Sequence, residues 1–170
     1  LSLHDALPIY TIDQLTQRLE RIGEERRYSF WTTLFFGALS AGGFAVFFGG
    51  SYMEAILSFL IGLVIKAVSA LMEQRGLHGF FTNAIAAAIG ALAALAAHAL
   101  CPQTDVDILI ISSMMLLVPG LAITNAIRDT VSGDYLSGVA RATEAFLVAI
   151  AIAVGIGVVL SMSIGLSGGM

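Results

Sequence analysis

The chain has 170 residues, 58% hydrophobic and only 12% charged, and eight Lys and Arg against twelve Asp and Glu give a net charge of −4. A soluble domain carries about a quarter charged residues. This composition, with a mean hydropathy of +0.91, excludes a disordered tail, a disulfide scaffold and most soluble enzymes, and the shortage of cations excludes nucleic-acid binding as a main task.

Leu1–Ile9 reads LSLHDALPI, which looks like one reading frame of a sequencing-adapter oligonucleotide. It is expected to be a scar and is set aside. Segment 10–28 is expected to be a cytosolic amphipathic helix, the tail of a longer cytosolic segment. Within Thr11–Arg27, Ile12, Leu15, Leu19 and Ile22 form one helical stripe with Glu and Arg on the other faces. Asp13 in its first turn and Arg26-Arg27 at its end suit the helix dipole.

From residue 29 to 170 the chain reads as one all-α integral membrane domain of five transmembrane helices. A crossing needs about 20 apolar residues to span about 30 Å of hydrocarbon. Phe30–Gly49, Ala55–Met72, Phe80–Leu100, Val106–Ile127 and Gly138–Met162 each qualify. The connections Gly50–Glu54, Glu73–Gly79, Cys101–Asp105 and Arg128–Ser137 are short, so the spans form antiparallel hairpins and a compact bundle. Five spans this apolar would leave a soluble protein no polar face for water.

Cations set the orientation. Arg18, Arg21, Arg26 and Arg27 precede span one, Arg75 lies between spans two and three, and Arg128 and Arg141 lie around the connection of spans four and five. The opposite side, Gly50–Glu54, Cys101–Asp105 and the C-terminus, has no Lys or Arg. The positive-inside rule therefore puts the N-terminus in the cytoplasm and the C-terminus outside. Lys66 can snorkel to the inner interface from span two. Five is an odd number, so a second homologous unit would sit inverted, as in transporters built from inverted repeats.

Polar residues inside such spans mark functional positions. In span four, Pro119 lacks an N–H and leaves the carbonyl of Met115 without its helical partner, and Gly120 loosens the backbone further. A broken helix exposes a new N-terminus, which suits a carboxylate. A plain packing kink is the competing explanation. Beyond the break, Leu121, Asn125 and Arg128 share one side of a helix, and Asp129 follows Asn125 by one turn. Arg128 has forked donors for a substrate carboxylate; Asp129 can accept an ammonium or a proton. Their alternative role is an orientation anchor at the inner interface. Arg141 and Glu144 share a face of span five, either as a self-satisfied pair or with Glu144 as a proton-coupling carboxylate. Asn83 lies at similar inner depth on span three, and His98 reads as a hydrogen-bonded structural residue. The small-residue spacings Gly37-x-x-x-Ala41, Ala86-x-x-x-Gly90 and Ala151-x-x-x-Gly155 read as packing positions. Phosphate-loop, dinucleotide, zinc-protease and nucleophile-elbow motifs are missing from the sequence, and Cys101, the one cysteine, has no Cys/His companions at metal-ligand spacing. The expectation is therefore no enzyme, no cofactor and no metal.

Two stretches resemble the threonine/serine exporter family. One is Met115–Ala145, with Val118-Pro119-Gly120, then Asn125, Arg128-Asp129 and Ser132-Gly133-Asp134; the other is Gly37–Ile65, with Phe48-Gly49-Gly50 at the end of span one. The resemblance runs from about Thr11 to the C-terminus. It implies secondary export of small polar amino acids driven by the proton gradient. It also implies, for split members, a larger half working with a smaller homologous partner, one such bacterial pair being associated with succinate export.

The expected function is thus a bacterial inner-membrane, multi-pass subunit of a secondary exporter for small carboxylate-bearing metabolites, threonine/serine or a dicarboxylate. Its expected partners are the lipid bilayer and a smaller homologous membrane subunit or further copies of itself. Pro119, Gly120, Asn125, Arg128, Asp129 and Asn83 are the candidate substrate-binding residues, and Glu144 and Asp129 the candidate proton-coupling ones. A non-transporting membrane scaffold is the alternative. A passive channel would need a polar path to the outside, and the outer halves of the spans are too apolar to supply one.

Overall fold

A computed structural model describes residues 29–167, with side chains to residue 165. The expectations for Leu1–Ile9 and for the Thr11–Arg27 helix lie outside these residues. All regular structure among the described residues is helical: α1 (Phe30–Phe47), α2 (Tyr52–Gln74), α3 (Gly79–Leu100), α4 (Val106–Met114), α5 (Gly120–Val131) and α6 (Tyr135–Ser167). Four of them, α1, α2, α3 and α6, are long and apolar enough to cross a membrane. The expected fourth span is instead two shorter helices, α4 and α5, of 9 and 12 residues.

The helix ends follow from local chemistry. α1 stops at Phe47 because Gly49 takes φ +86°, and the N–H groups of Gly49 and Gly50 donate back to Val46 and Ala45 at 3.0 and 2.8 Å. This glycine-closed cap satisfies carbonyls that the last turn leaves free. α2 begins at Tyr52, three residues before the expected span, because Ser51 and Glu54 form a reciprocal capping box. Asp105 caps α4 by accepting from the N–H of Asp107 at 2.8 Å. α4 ends at Met114, and Leu116 and Leu117 donate to the carbonyls three residues back. Pro119 has no N–H to continue the ladder, and the backbone makes a tight turn over Val118-Pro119, with Pro119 at φ −80° and ψ 60°, before α5 begins.

Close helix approach is achieved through small residues. On α1, Gly42 lies over the carbonyl of Ala55, and Gly62 of α2 lies over Ala38 and Ala41. Gly90 of α3 accepts Ile65 of α2 and Met114 of α4 into the space a side chain would occupy. Gly155 of α6 rests on the backbone of Ala84 and Ala88 of α3. The buried core these contacts enclose includes Ile61, Ile65, Ala87, Leu109, Met114 and Ile152. Large apolar side chains such as Phe36, Leu92, Phe146, Val158 and Ile164 face outward, as lipid-facing residues do. Lys66 is half-buried, and its stem packs over Gly37 of α1.

Candidate functional site

The polar residues singled out in the sequence fall mostly on one supersecondary unit, the hairpin of α5 and the first turns of α6. Two features of the Ser132-Gly133-Asp134 turn create it. Gly133 takes φ +88° and closes α5, its N–H donating to Thr130 and that of Asp134 to Asp129. Asp134 then starts α6 by accepting the N–H of Ser137 at 3.2 Å. The Ser137 hydroxyl and N–H together hold the Asp134 carboxyl below its ordinary pKa, so this turn contact is kept at neutral pH and lost only as acid protonates the group. Gly138 lets the two helices touch: a methyl group there would run into the Thr130 hydroxyl and lie 3.1 Å from the Thr130 nitrogen.

That approach brings Asp129 to Arg141, with Oδ2 accepting from Nε at 2.9 Å. Arg141 therefore pairs across the hairpin, and not with Glu144 one turn along its own helix. Arg128 and Glu144 are both exposed, and neither has an ion-pair partner among the described residues. Glu144 stands nine residues, about 14 Å of helix rise, after Tyr135 at the start of α6. An unpaired carboxylate at such a position in an apolar helix is costly in lipid and calls for water, a ligand or a protein partner. Asn125 is half-buried one turn before Asp129, and its amide makes no hydrogen bond to the described residues.

Pro119 and Gly120 form the start of α5. Pro119 caps it without a side-chain bond, and the N–H of Gly120 turns back to Val118 at 2.9 Å. A Cβ added to Gly120 would meet nothing within 4 Å, so no packing contact demands glycine there. Of the first-turn amides, those of Leu121 and Ala122 have no acceptor among the described residues, as at a helix N-terminus that can receive an anion.

Asn83 is placed elsewhere. It is half-buried on α3 beside Thr82, whose buried hydroxyl has no partner. Gly155, which rests on neighbouring Ala84, follows Glu144 by eleven residues, about 16 Å of helix rise. No hydrogen bond or ion pair among the described residues links Asn83 to the hairpin. A groove of about 480 Å³ between α1 and α2, lined by residues including Leu39, Gly43, Val46 and Phe59, contains none of the candidate residues. The described residues contain no group of three or more His, Cys, Asp or Glu arranged to hold a metal.

One polar residue, Glu54, escaped the sequence reading. Glu54 assigns to a loop by hydropathy, but it is buried in the first turn of α2 and accepts two backbone N–H groups, from Ser51 and Asp105, each at 2.6 Å. Its Ser-x-x-Glu spacing is a capping-box signal visible in the sequence; the contact to Asp105, 51 residues away, has no such signal. Ser58 and Ser112, fully buried, bond hydroxyl to hydroxyl at 2.8 Å. His98 orders the loop before α4 by bonding through Nδ1 to the Thr104 carbonyl at 2.8 Å.

Comparison with known proteins places this geometry in context. The model of the threonine/serine exporter family, ThrE, matches residues 4–163, beginning inside the stretch that reads as an adapter scar. A threonine/serine exporter of Corynebacterium glutamicum is 27% identical over 146 residues, covering 84% of this chain and 29% of that protein. A protein of Mycobacterium tuberculosis named as a probable threonine/serine exporter is 28% identical, covering 81% of this chain and 26% of its own length. A protein of Escherichia coli named as a probable succinate transporter subunit, YjjP, is 32% identical over 130 residues, covering 74% of this chain and 49% of that protein. The chain thus spans under a third of the two exporters and about half of the transporter subunit. No solved structure matches it.

Proposed function

This chain belongs to the threonine/serine exporter family and is a multi-pass membrane protein, and from that premise we propose that it is a subunit of a proton-coupled secondary exporter of small carboxylate-bearing metabolites. The relatives are named for threonine, serine and succinate, and a carboxylate is the group these compounds share. The observation that carries the proposal is the division of charge on the α5–α6 hairpin. Arg141 is committed to Asp129, and Arg128 and Glu144 have no ion-pair partner among the described residues, which leaves them open to a ligand or a partner.

Arg128 receives the carboxylate through its forked donors, with the unbonded first-turn N–H groups of Leu121 and Ala122 and the free amide of Asn125 on the same helix. Glu144 carries the coupling proton. Asp129, held by Arg141, fixes the spacing of the two helices and exchanges its partner when a substrate ammonium arrives. In the membrane, α4 and α5 together make one broken crossing, giving five passes with a cytoplasmic N-terminus, in the inner membrane of a bacterium. Arg128 and Glu144 point away from this chain's own core, so a second polypeptide, a smaller homologous membrane subunit, closes the site.

The test is efflux of labelled threonine, serine and succinate from cells producing the full-length protein with its partner. Arg128→Ala and Glu144→Gln are expected to lower efflux about tenfold or more, the scale of one lost charged hydrogen bond, with membrane insertion unchanged. Wild-type rates in both variants would remove these residues from transport. The rival assignment, a non-transporting scaffold, draws on the separation of Asn83 from the hairpin and predicts that unchanged rate.

A further inference from the structure

Glu54 does something a helix cap does not require. A capping box uses one carboxylate oxygen, and here Oε2 accepts from Ser51. The other oxygen, Oε1, accepts the N–H of Asp105 at 2.6 Å, so one carboxylate ties the α1–α2 loop to the α3–α4 loop. The group is 6% exposed. No cation among the described residues pairs with it: its donors are backbone N–H groups and its cap partner is the Ser51 hydroxyl. One turn further along α2, Ser58 meets Ser112 of α4. The seam between α2 and α4 is therefore closed by polar contacts at two successive levels.

The element on the far side of the seam is short, buried along one face through Leu109, Ser112 and Ser113, and ends at a break in the helix ladder. α4 is nine residues long. Behind it lies the non-helical Met115–Pro119 segment, where Pro119 interrupts the ladder. A short helix fastened at its first residue and followed by a break can swing as a unit once the fastening opens. Glu54 has no salt-bridge partner to strand when it lets go, and the freed N–H of Asp105 would face the loop end, where water can replace the carboxylate.

We propose that Glu54 is a latch that holds the α2–α4 seam shut at the loop end, and that release of the Asp105 N–H lets α4 pivot about the 115–119 break to open this side of the protein. Linking this opening to export rests on the exporter function proposed above; the latch itself does not.

The experiment uses the full-length protein in lipid nanodiscs, with Cys101→Ser removing the chain's one cysteine and Ser112→Cys as a reporter beneath the latch. A water-soluble maleimide reaches both faces of a nanodisc, so the result does not depend on orientation. With Glu54 intact, labelling of the reporter is slow. Glu54→Gln is expected to speed it about tenfold or more, the scale of one lost charge-assisted bond, and Glu54→Asp, too short to reach both loops, does the same if Glu54→Gln fails to fold. Ala91→Cys, fully buried on α3, stays unlabelled throughout. Equal labelling with and without the Glu54 substitution would overturn the latch. So would a parallel rise at Ala91→Cys, which would make Glu54 a general stabiliser of the bundle. Faster reporter labelling in a protein that moves none of the three metabolites would leave the latch standing and remove the exporter function.

Discussion

Asp129 and Arg141 meet at 2.9 Å with 27% and 49% of their side chains exposed. A pair this open contributes little to stability, because water and salt screen it. Its value is positional: it commits one of the two hairpin arginines and one of its carboxylates, and so defines which charges stay available. A double-mutant cycle of Asp129→Ala and Arg141→Ala, followed by thermal unfolding in detergent, is expected to give a coupling of about 0.2–1 kcal/mol. At this scale the sequence was only partly informative. Arg141 and Glu144 stand three apart and share a helix face, so pairing within α6 was a natural alternative. It is displaced because Gly138 lets α5 come close enough to offer Asp129 instead. That choice depends on a contact between helices, which spacing along one helix does not encode. Glu54 shows the same limit: its cap is legible in four residues, and its bond to Asp105 exists only in the folded chain.

Glycines on these helices serve different ends, and substitution separates them. Gly138 faces the Thr130 side chain and the α5 backbone, with the Ala126 carbonyl 3.2 Å from an added Cβ. Gly138→Ala is expected to spread the hairpin, cost about 1–3 kcal/mol through overpacking and pull Arg141 away from Asp129. Gly43 of α1 has nothing within 4 Å of an added Cβ. Gly43→Ala is expected to raise the Tm, since alanine favours a helix interior by about 0.5–1 kcal/mol. Unfolding curves of both variants in the same detergent check the contrast; a stabilising Gly138→Ala would mean that the hairpin is loose. The element boundaries themselves were largely legible. Proline's missing N–H announced the break between α4 and α5, and the first expected span ends within two residues of α1, whereas α5 continues to Val131, four residues past the expected Ile127. The exact start of α2 was obscured, because hydropathy places a carboxylate outside a span and capping chemistry draws it in.

As a whole the molecule is inside-out relative to a soluble domain: alanine and glycine at the helix contacts, and phenylalanine, leucine and valine outside. Composition alone made that legible, since 12% charge over 170 residues cannot furnish a water-facing surface. The orientation and the five crossings proposed above rest on the placement of cations and on the broken α4–α5 pair acting as one span. In the function proposed above, Arg128 and Glu144, without ion-pair partners among the described residues, meet their counterparts in substrate, proton or partner. The most direct test of that account is flux through the purified full-length protein with its partner in proteoliposomes, loaded with labelled threonine, serine or succinate and subjected to an imposed pH gradient. The account predicts gradient-dependent efflux of at least one of the three, lowered about tenfold or more by Arg128→Ala. Flux equal to protein-free liposomes for all three, with correctly inserted protein, would contradict it.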